Sequence, residues 1–245
     1  MTATRRLTGV GVGPGDAELV TVQGVRVLRE ADVVFVPVLG VDVTGRAEAT
    51  VRTYVDAGRV RRVVFALDER EGVTPRRTDA WDAAAAAVAA ALHGGAGHVA
   101  FATIGDPNIY STFSYLAHGV RDRVPGVVVD TVAGITAMQD LAARTGTVLC
   151  EGRESLALMP LTAGLDAFAA ALAAADTVVA YKGGARMPEV LEALRAAGRL
   201  QGAVYGAALG LPGQDIRPAA DVTGATPYLS TVIVPARRTR RGGKI

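Results

Sequence analysis

The chain has 245 residues, of which 50% are hydrophobic and 20% are charged, and it contains a single cysteine. This composition excludes collagen-like, coiled-coil and disordered proteins, and one cysteine excludes an intramolecular disulfide. Five of the 26 basic residues lie in the last nine positions and all 24 acidic residues precede them, so residues 1–236 carry a net charge of −3. A near-neutral body of this kind argues against a nucleic-acid partner.

The N-terminal residues predict no export signal, because no apolar segment stands before a small-residue cleavage site. The longest apolar run, residues 83–92, has about half the length that a membrane span needs. We therefore expect a cytoplasmic protein with no membrane partner.

Hydrophobic periodicity predicts strands and helices in alternation along the first half of the chain. The predicted strands span residues 7–12, 31–38, 60–67, 99–104 and 127–131. Apolar residues recur at helical spacing over residues 19–28, and further helices are predicted at 47–57, 79–92 and 109–120. Thr78 or Asp79 is the expected N-cap of the helix at 79–92.

In the second half, helices are predicted at residues 135–144, 165–175 and 187–197, and strands at 155–160, 177–181, 203–208 and 228–235. The sequence thus predicts an α/β fold of two α/β domains, residues 1–133 and 134–236, followed by a basic and disordered tail at 237–245.

Five predicted strands run into turns of small residues, and such turns let a ligand approach the backbone closely. The turns are GVGVGPGD (9–16), TIGDPNIYS (103–111), VAGITA (132–137), AYKGGA (180–185) and YGAALG (205–210). One turn of this kind is weak evidence, whereas five predict a ligand site.

Several familiar sites are excluded by the sequence. No Lys-Ser or Lys-Thr pair follows the glycines, so there is no P-loop, and Pro14 and Asp16 stand where a dinucleotide fingerprint needs glycine. His93, His98 and His118 form no metal-ligand pattern, so we expect no metal site. No nucleophile motif is present.

Three stretches together resemble the tetrapyrrole methyltransferase family: GVGVGPGDAELVTVQGVRVLREADVV (9–34), IGDPNIYSTFSYL (104–116) and AGITAMQDLAARTG (133–146). Members of this family transfer a methyl group from S-adenosylmethionine to corrinoid or sirohaem precursors. Within the family, the chain most resembles members that methylate C-20 of precorrin-2 to give precorrin-3A in cobalamin biosynthesis, a branch of porphyrin metabolism. The stretches that carry this resemblance are GDPNIYSTFSYL (105–116), EGRESLALMP (151–160) and VFVPV (34–38).

The resemblance implies a homodimer whose subunits hold S-adenosylmethionine in a cleft between the two domains, with the tetrapyrrole substrate beside it. Carried over by motif, the expected cofactor contacts are Pro14, Ile104, Gly105, Asp106, Ile109, Thr136, Ala137, Lys182 and Ala207. The expected substrate contacts are Asp16, Tyr110 and Ser111, with Arg76, Arg77 and Arg186 facing the substrate carboxylates.

The catalytic proton acceptor is not identified by the sequence. Sirohaem-type relatives carry an aspartate after the second strand, where this chain has Pro37, and Asp106, Asp16 and Tyr110 remain candidates. Alternative functions are C-20 methylation of cobalt-factor II, methylation of another ring carbon, and a non-catalytic tetrapyrrole-binding module. A nucleotide-binding oxidoreductase is favoured only if the first glycine loop is considered alone.

Overall fold

The computed structural model describes residues 4–40, 42–66, 72–240 and 244. The chain divides into two compact units, Met1–Thr136 (unit 1) and Ala137–Ile245 (unit 2). The described part of each unit contains a five-stranded sheet with helices packed on it, which confirms the predicted α/β class.

Unit 1 is built on a sheet in which every pairing of neighbouring strands is parallel. The strands stand in the order β3-β2-β4-β1-β5. They are β1 (Arg6–Gly11), β2 (Val33–Val38), β3 (Val60–Val64), β4 (His98–Thr103) and β5 (Val128–Val132), and the helices are α1 (Val22–Glu30), α2 (Arg46–Val51), α3 (Pro75–His93) and α4 (Phe113–Arg123). Because all five strands run in one direction, the turns that follow them lie along one edge of the sheet.

Helices cover both faces of this sheet, as the continuous apolar character of its strands requires. On β4, Val99 and Phe101 pack with residues of α3 and α4, whereas Ala100 and Ala102 pack with residues of α1 and α2. All four side chains are fully buried. Unit 1 is therefore a three-layer structure whose ligand-accessible backbone is left at the ends of the strands.

Unit 2 contains a mixed sheet in the strand order β6-β7-β10-β8-β9. Strands β6 and β7 are parallel, and β10 is antiparallel to both β7 and β8. The elements are α5 (Ala137–Thr145), β6 (Leu156–Pro160), α6 (Leu165–Ala174), β7 (Thr177–Tyr181), α7 (Met187–Ala196), β8 (Val204–Ala207), β9 (Asp215–Pro218) and β10 (Ser230–Val234). Helices α6 and α7 pack on one face and α5 on the other.

Two helix starts differ from the sequence predictions. Helix α3 begins at Pro75, and its N-cap is Thr74, whose Oγ1 accepts a hydrogen bond from the Arg77 N–H at 3.1 Å, so the predicted cap at Thr78 or Asp79 was wrong. Helix α4 begins at Phe113 and not at residue 109, because Tyr110 has a φ of 49° that an α-helix cannot contain.

Two further elements were predicted incorrectly or missed. Helix α2 ends at Val51, well short of residue 57. The polar edge strand β9 has no apolar alternation to reveal it. Residue 67, the end of the strand predicted at 60–67, lies outside the described residues.

The described residues of the C-terminal segment make hydrogen bonds and ion pairs with other residues of unit 2. The Arg238 guanidinium donates to the Glu154 carboxylate, with the Nε–Oε1 distance at 2.9 Å, and to the Val148 carbonyl at 3.2 Å. The Lys244 ammonium pairs with Asp176, and the Arg237 guanidinium donates to the Gly198 carbonyl. These described basic side chains contact other residues of unit 2, and the disorder of residues 237–245 stays a prediction.

Candidate cofactor and substrate site

The turns after β4, β1 and β5 are neighbours, because these strands stand side by side in the sheet of unit 1. The first two turns are joined by a backbone hydrogen bond from the Gly105 N–H to the Gly13 carbonyl at 2.8 Å. The sheet therefore brings together three of the five turns selected from the sequence.

Glycine is required where these three turns meet. A Cβ atom on Gly134 would lie 2.1 Å from the Gly105 carbonyl oxygen, and one on Gly11 would lie 2.6 Å from the Gly134 Cα. Real Cβ atoms do not approach other heavy atoms so closely. The three backbones are thus in direct contact, and no side chain separates them.

Asp106 connects the turn after β4 to the turn after β5. Its carboxylate is nearly buried, with 9% of the residue exposed. Oδ2 accepts the Gly134 N–H at 2.9 Å, and Oδ1 accepts the Asn108 N–H at 2.8 Å. Since both oxygens are occupied by backbone donors, Asp106 acts as a positioning residue for these turns, and the geometry does not favour it as the proton acceptor.

Hydrogen bonds from helix α2 and from the residues that follow it hold the GPGD turn after β1. The Tyr54 hydroxyl donates to the Ala17 carbonyl at 2.6 Å, and the buried Thr50 hydroxyl donates to the Gly15 carbonyl at 3.3 Å. Pro14 is buried, and Asp16 Oδ1 accepts the Glu18 N–H at 3.0 Å. The roles of Thr50 and Tyr54 were not predicted, because no residue near them in the chain marks a long-range contact.

Glu48 on α2 is a buried carboxylate with two arginine partners. Its Oε2 lies 2.8 Å from Arg62 Nε, and its Oε1 lies 2.6 Å from Arg52 Nη2. Burial alone would raise the pKa of Glu48, but the hydrogen bonds from Arg62 and Arg52 outweigh it and lower the pKa. This ion-pair cluster fixes the helix that supports the GPGD turn.

The remaining two turns lie in unit 2 and share an edge of its sheet. Strands β7 and β8 are both antiparallel to β10, so they run in the same direction and end on the same side. The Tyr181 hydroxyl at the end of β7 accepts the Met138 N–H at 2.9 Å, which places the start of α5, including Ala137, beside the Lys182 turn. Lys182 itself is half-buried, and its N–H donates to the Ser230 carbonyl at 3.3 Å.

Strained backbone is concentrated on these turns. Among the described residues other than glycine, positive φ occurs at Tyr110 (49°), Lys182 (62°) and Ala208 (49°), each on a different one of the five turns. Such conformations cost about 1–3 kcal/mol each and cluster at ligand sites. The backbone geometry thus independently marks the turns after β4, β7 and β8.

A groove of about 530 Å³ opens beside the turn after β4. Tyr110 and Ser111 line it, as do Asn108, Ser114, Arg121 and Thr131. The Tyr110 phenol is protonated at neutral pH and can donate a hydrogen bond, and burial raises its pKa further above the ordinary value of 10.0. The Ser111 hydroxyl is already used locally, since it donates to Thr103 Oγ1 and accepts the Phe113 N–H, both at 3.1 Å.

The predicted carboxylate-binding arginines do not line this groove. Arg76 and Arg77 lie in the first turn of α3, where the Arg77 guanidinium donates to the Gly72 carbonyl, and Arg186 lies in unit 2, where its Nε donates to Glu189 at 2.9 Å. The groove is instead lined by Arg121, which sequence analysis did not select. Its signal was the spacing of Ser114, Ala117 and Arg121 along one face of α4.

Within the described residues, no group of three or more His, Cys, Asp or Glu side chains could hold a metal ion. No described helix is long and apolar enough to cross a membrane.

The model of the tetrapyrrole (corrin/porphyrin) methylase family matches residues 6–221 of this chain. The chain belongs to this family, which confirms the resemblance found in the sequence.

Two relatives match nearly the whole chain. A precorrin-2 C(20)-methyltransferase of Sinorhizobium sp. is 34% identical over 96% of this chain and 97% of its own length. A cobalt-precorrin-2 C(20)-methyltransferase of Salmonella typhimurium is 30% identical over 94% of this chain and 95% of its own length. Among solved structures, a uroporphyrin-III C-methyltransferase from Thermus thermophilus in complex with S-adenosylhomocysteine shares the fold, with a TM-score of 0.63 and 21% identity over 93% of this chain and 96% of that chain.

Proposed function

We propose that the protein is an S-adenosylmethionine-dependent methyltransferase that methylates C-20 of precorrin-2 to give precorrin-3A in cobalamin biosynthesis. The observation that carries this proposal is the end-to-end similarity to the Sinorhizobium relative, which bears that activity in its name. The family match supports the reaction class.

The five turns fit S-adenosylmethionine by their chemistry. They offer open glycine backbone at Gly105, where an added Cβ would meet nothing within 4 Å, together with strained peptides at Lys182 and Ala208. A folded nucleoside and amino-acid group requires close backbone approach of this kind. We assign its contacts to Pro14, Ile104, Gly105, Asp106, Ile109, Thr136, Ala137, Lys182 and Ala207. The bound group supplies an electrophilic methyl on a sulfonium ion.

The main role of the chain's residues in this reaction is to position the cofactor turns and the substrate. Asp106 fixes the relative position of the turns after β4 and β5, and Tyr54 and Thr50 fix the GPGD turn. Holding methyl donor and acceptor carbon in line contributes up to about 7–11 kcal/mol to such a reaction. The protonated Tyr110 phenol can donate a hydrogen bond to a substrate carboxylate or nitrogen in the groove.

The proposal includes two domains, residues 1–133 and 134–236, and a cytoplasmic homodimer. Asp16, Tyr110 and Ser111 are proposed to contact the substrate, as are Arg76, Arg77 and Arg186.

A second candidate is the same methylation on a cobalt-loaded substrate, which the name of the Salmonella relative favours. Anaerobic incubation of the purified protein with S-adenosylmethionine and either precorrin-2 or its cobalt complex separates the two, with the product analysed by mass spectrometry and NMR. We expect one methyl group added at C-20 of precorrin-2. Methylation of the cobalt complex alone would establish the second candidate, and S-adenosylmethionine binding without methylation of either would refute both.

A further inference from the structure

The groove beside the turn after β4 extends away from that turn, between α4 and the edge strand β5. One end is formed by Asn108, Tyr110 and Ser111, and the other is reached by Arg121 near the end of α4. The eight residue-to-residue steps from Phe113 to Arg121 rise by about 12 Å along the helix axis. A ligand that touches both ends is therefore extended, and its far end meets a guanidinium.

The charges along the groove are unbalanced in favour of an anion. Asp130 and Arg121 are the ionised side chains among the described lining residues. Both Asp130 oxygens are engaged, since Oδ2 accepts from Arg6 at 2.6 Å and Oδ1 accepts from the Thr8 hydroxyl at 2.8 Å. Arg121 is exposed, and within the described ranges no hydrogen bond or ion pair to its guanidinium is found. The groove thus offers one positive charge that no protein carboxylate compensates.

The other lining groups are suited to the same kind of ligand. Ser114 and Thr131 carry hydroxyls and Asn108 an amide, whose nitrogen donates to Thr131 Oγ1 at 3.2 Å. A volume of about 530 Å³ is ordinary for a small-molecule site. A carboxylate prefers a planar guanidinium, which can donate two parallel hydrogen bonds to it.

We propose that this groove is a subsite for one carboxylate arm of the tetrapyrrole substrate, with Arg121 as the residue that binds the arm. The proposal rests on the proposed function, and it adds Arg121 to Arg76, Arg77 and Arg186 as a residue that binds a substrate carboxylate. Arg121 contributes to substrate affinity and not to cofactor affinity.

The test separates tetrapyrrole binding from methyl transfer. Uroporphyrin III, a stable porphyrin with acetate and propionate arms, is titrated into wild type, Arg121→Ala and Arg121→Lys, and binding is followed by porphyrin fluorescence. Arg195→Ala is the matched control, because Arg195 is an exposed helical arginine of unit 2 whose Nη1 lies 3.3 Å from Glu192. S-adenosylmethionine affinity is measured in parallel by calorimetry.

We expect Arg121→Ala to weaken porphyrin binding by about 5- to 10-fold. The porphyrin affinity of Arg121→Lys should lie between those of wild type and Arg121→Ala, and that of Arg195→Ala should equal wild type. S-adenosylmethionine affinity and the melting temperature stay unchanged, since no described hydrogen bond or ion pair involves the Arg121 guanidinium. Added salt should weaken porphyrin binding by wild type more than porphyrin binding by Arg121→Ala.

Equal porphyrin affinity in wild type and Arg121→Ala would overturn the proposal, as would absence of porphyrin binding or a parallel loss of S-adenosylmethionine affinity. Failure of the proposed function can be distinguished from failure of the Arg121 proposal. If only the proposed function fails, precorrin-2 is not methylated, while porphyrin binding still depends on Arg121.

Discussion

Replacement of Gly134 by alanine is the sharpest test of the contact between the three turns of unit 1. The new Cβ would lie 2.1 Å from the Gly105 carbonyl oxygen and 2.7 Å from the Gly11 Cα. Since real Cβ contacts under 3.0 Å essentially do not occur, the two turns must separate by close to 1 Å, and the 2.9 Å hydrogen bond from Gly134 to Asp106 breaks with them. Overpacking costs about 1–3 kcal/mol and a hydrogen bond to a buried carboxylate about 1.5–3 kcal/mol. We expect Gly134→Ala to lose about 3–5 kcal/mol of unfolding free energy and at least tenfold in S-adenosylmethionine affinity.

The single tryptophan makes the measurement specific to unit 1. Trp81 lies in α3, so its fluorescence in a urea titration follows the unfolding of that unit. Gly58→Ala is the matched control, because nothing lies within 4 Å of its added Cβ, and it should change stability by less than about 0.5 kcal/mol. If Gly134→Ala unfolds at the same urea concentration as Gly58→Ala and binds S-adenosylmethionine equally well, the turns are not packed as described.

Two further changes test the support of the turns and their strain. Glu48→Gln should cost about 1–3 kcal/mol at pH 7, because it leaves Arg52 and Arg62 without their carboxylate. The lowered pKa of Glu48 means that its contribution is complete above the ordinary value of 4.5 and is lost as pH falls through the folded-state value. Wild type should therefore lose unfolding free energy more steeply than Glu48→Gln as pH falls below 4.5, measured by urea titrations at several pH values. If the unfolding free energies of the two proteins fall in parallel across this pH range, the ion-pair assignment is contradicted. Ala208→Gly should stabilise unit 2 by about 0.5–1 kcal/mol by relieving the positive φ, whereas Ala167→Gly, within α6, should destabilise it by about 1 kcal/mol. Thermal melts by circular dichroism report both changes, and a loss of stability in Ala208→Gly would show that this peptide is not strained.

The glycine turns were predictable because glycine is required where backbones touch, and strand periodicity placed each turn at the end of a strand. Helix α3 could have been predicted correctly, since Thr74 followed by Pro75 is a strong start signal. The late start of α4 could not, because no residue type announces a positive φ at a tyrosine. The partners of Asp106 and the role of Thr50 also depend on contacts between distant parts of the chain, which a single sequence does not encode locally.

The central position of β1 has a consequence for synthesis on the ribosome. Five of the six residues of β1 are buried, yet its two neighbours are β4 and β5, and the first of these begins at His98. At usual elongation rates the 86 residues between β1 and β4 take roughly 4–17 s to translate. During that interval β1, whose Leu7 and Val10 side chains are fully buried in the complete fold, has no partner strand within the nascent chain. Termination of translation before β4 would thus release a fragment in which both edges of β1 lack a partner strand. Such a fragment is prone to aggregate and is a substrate for chaperones.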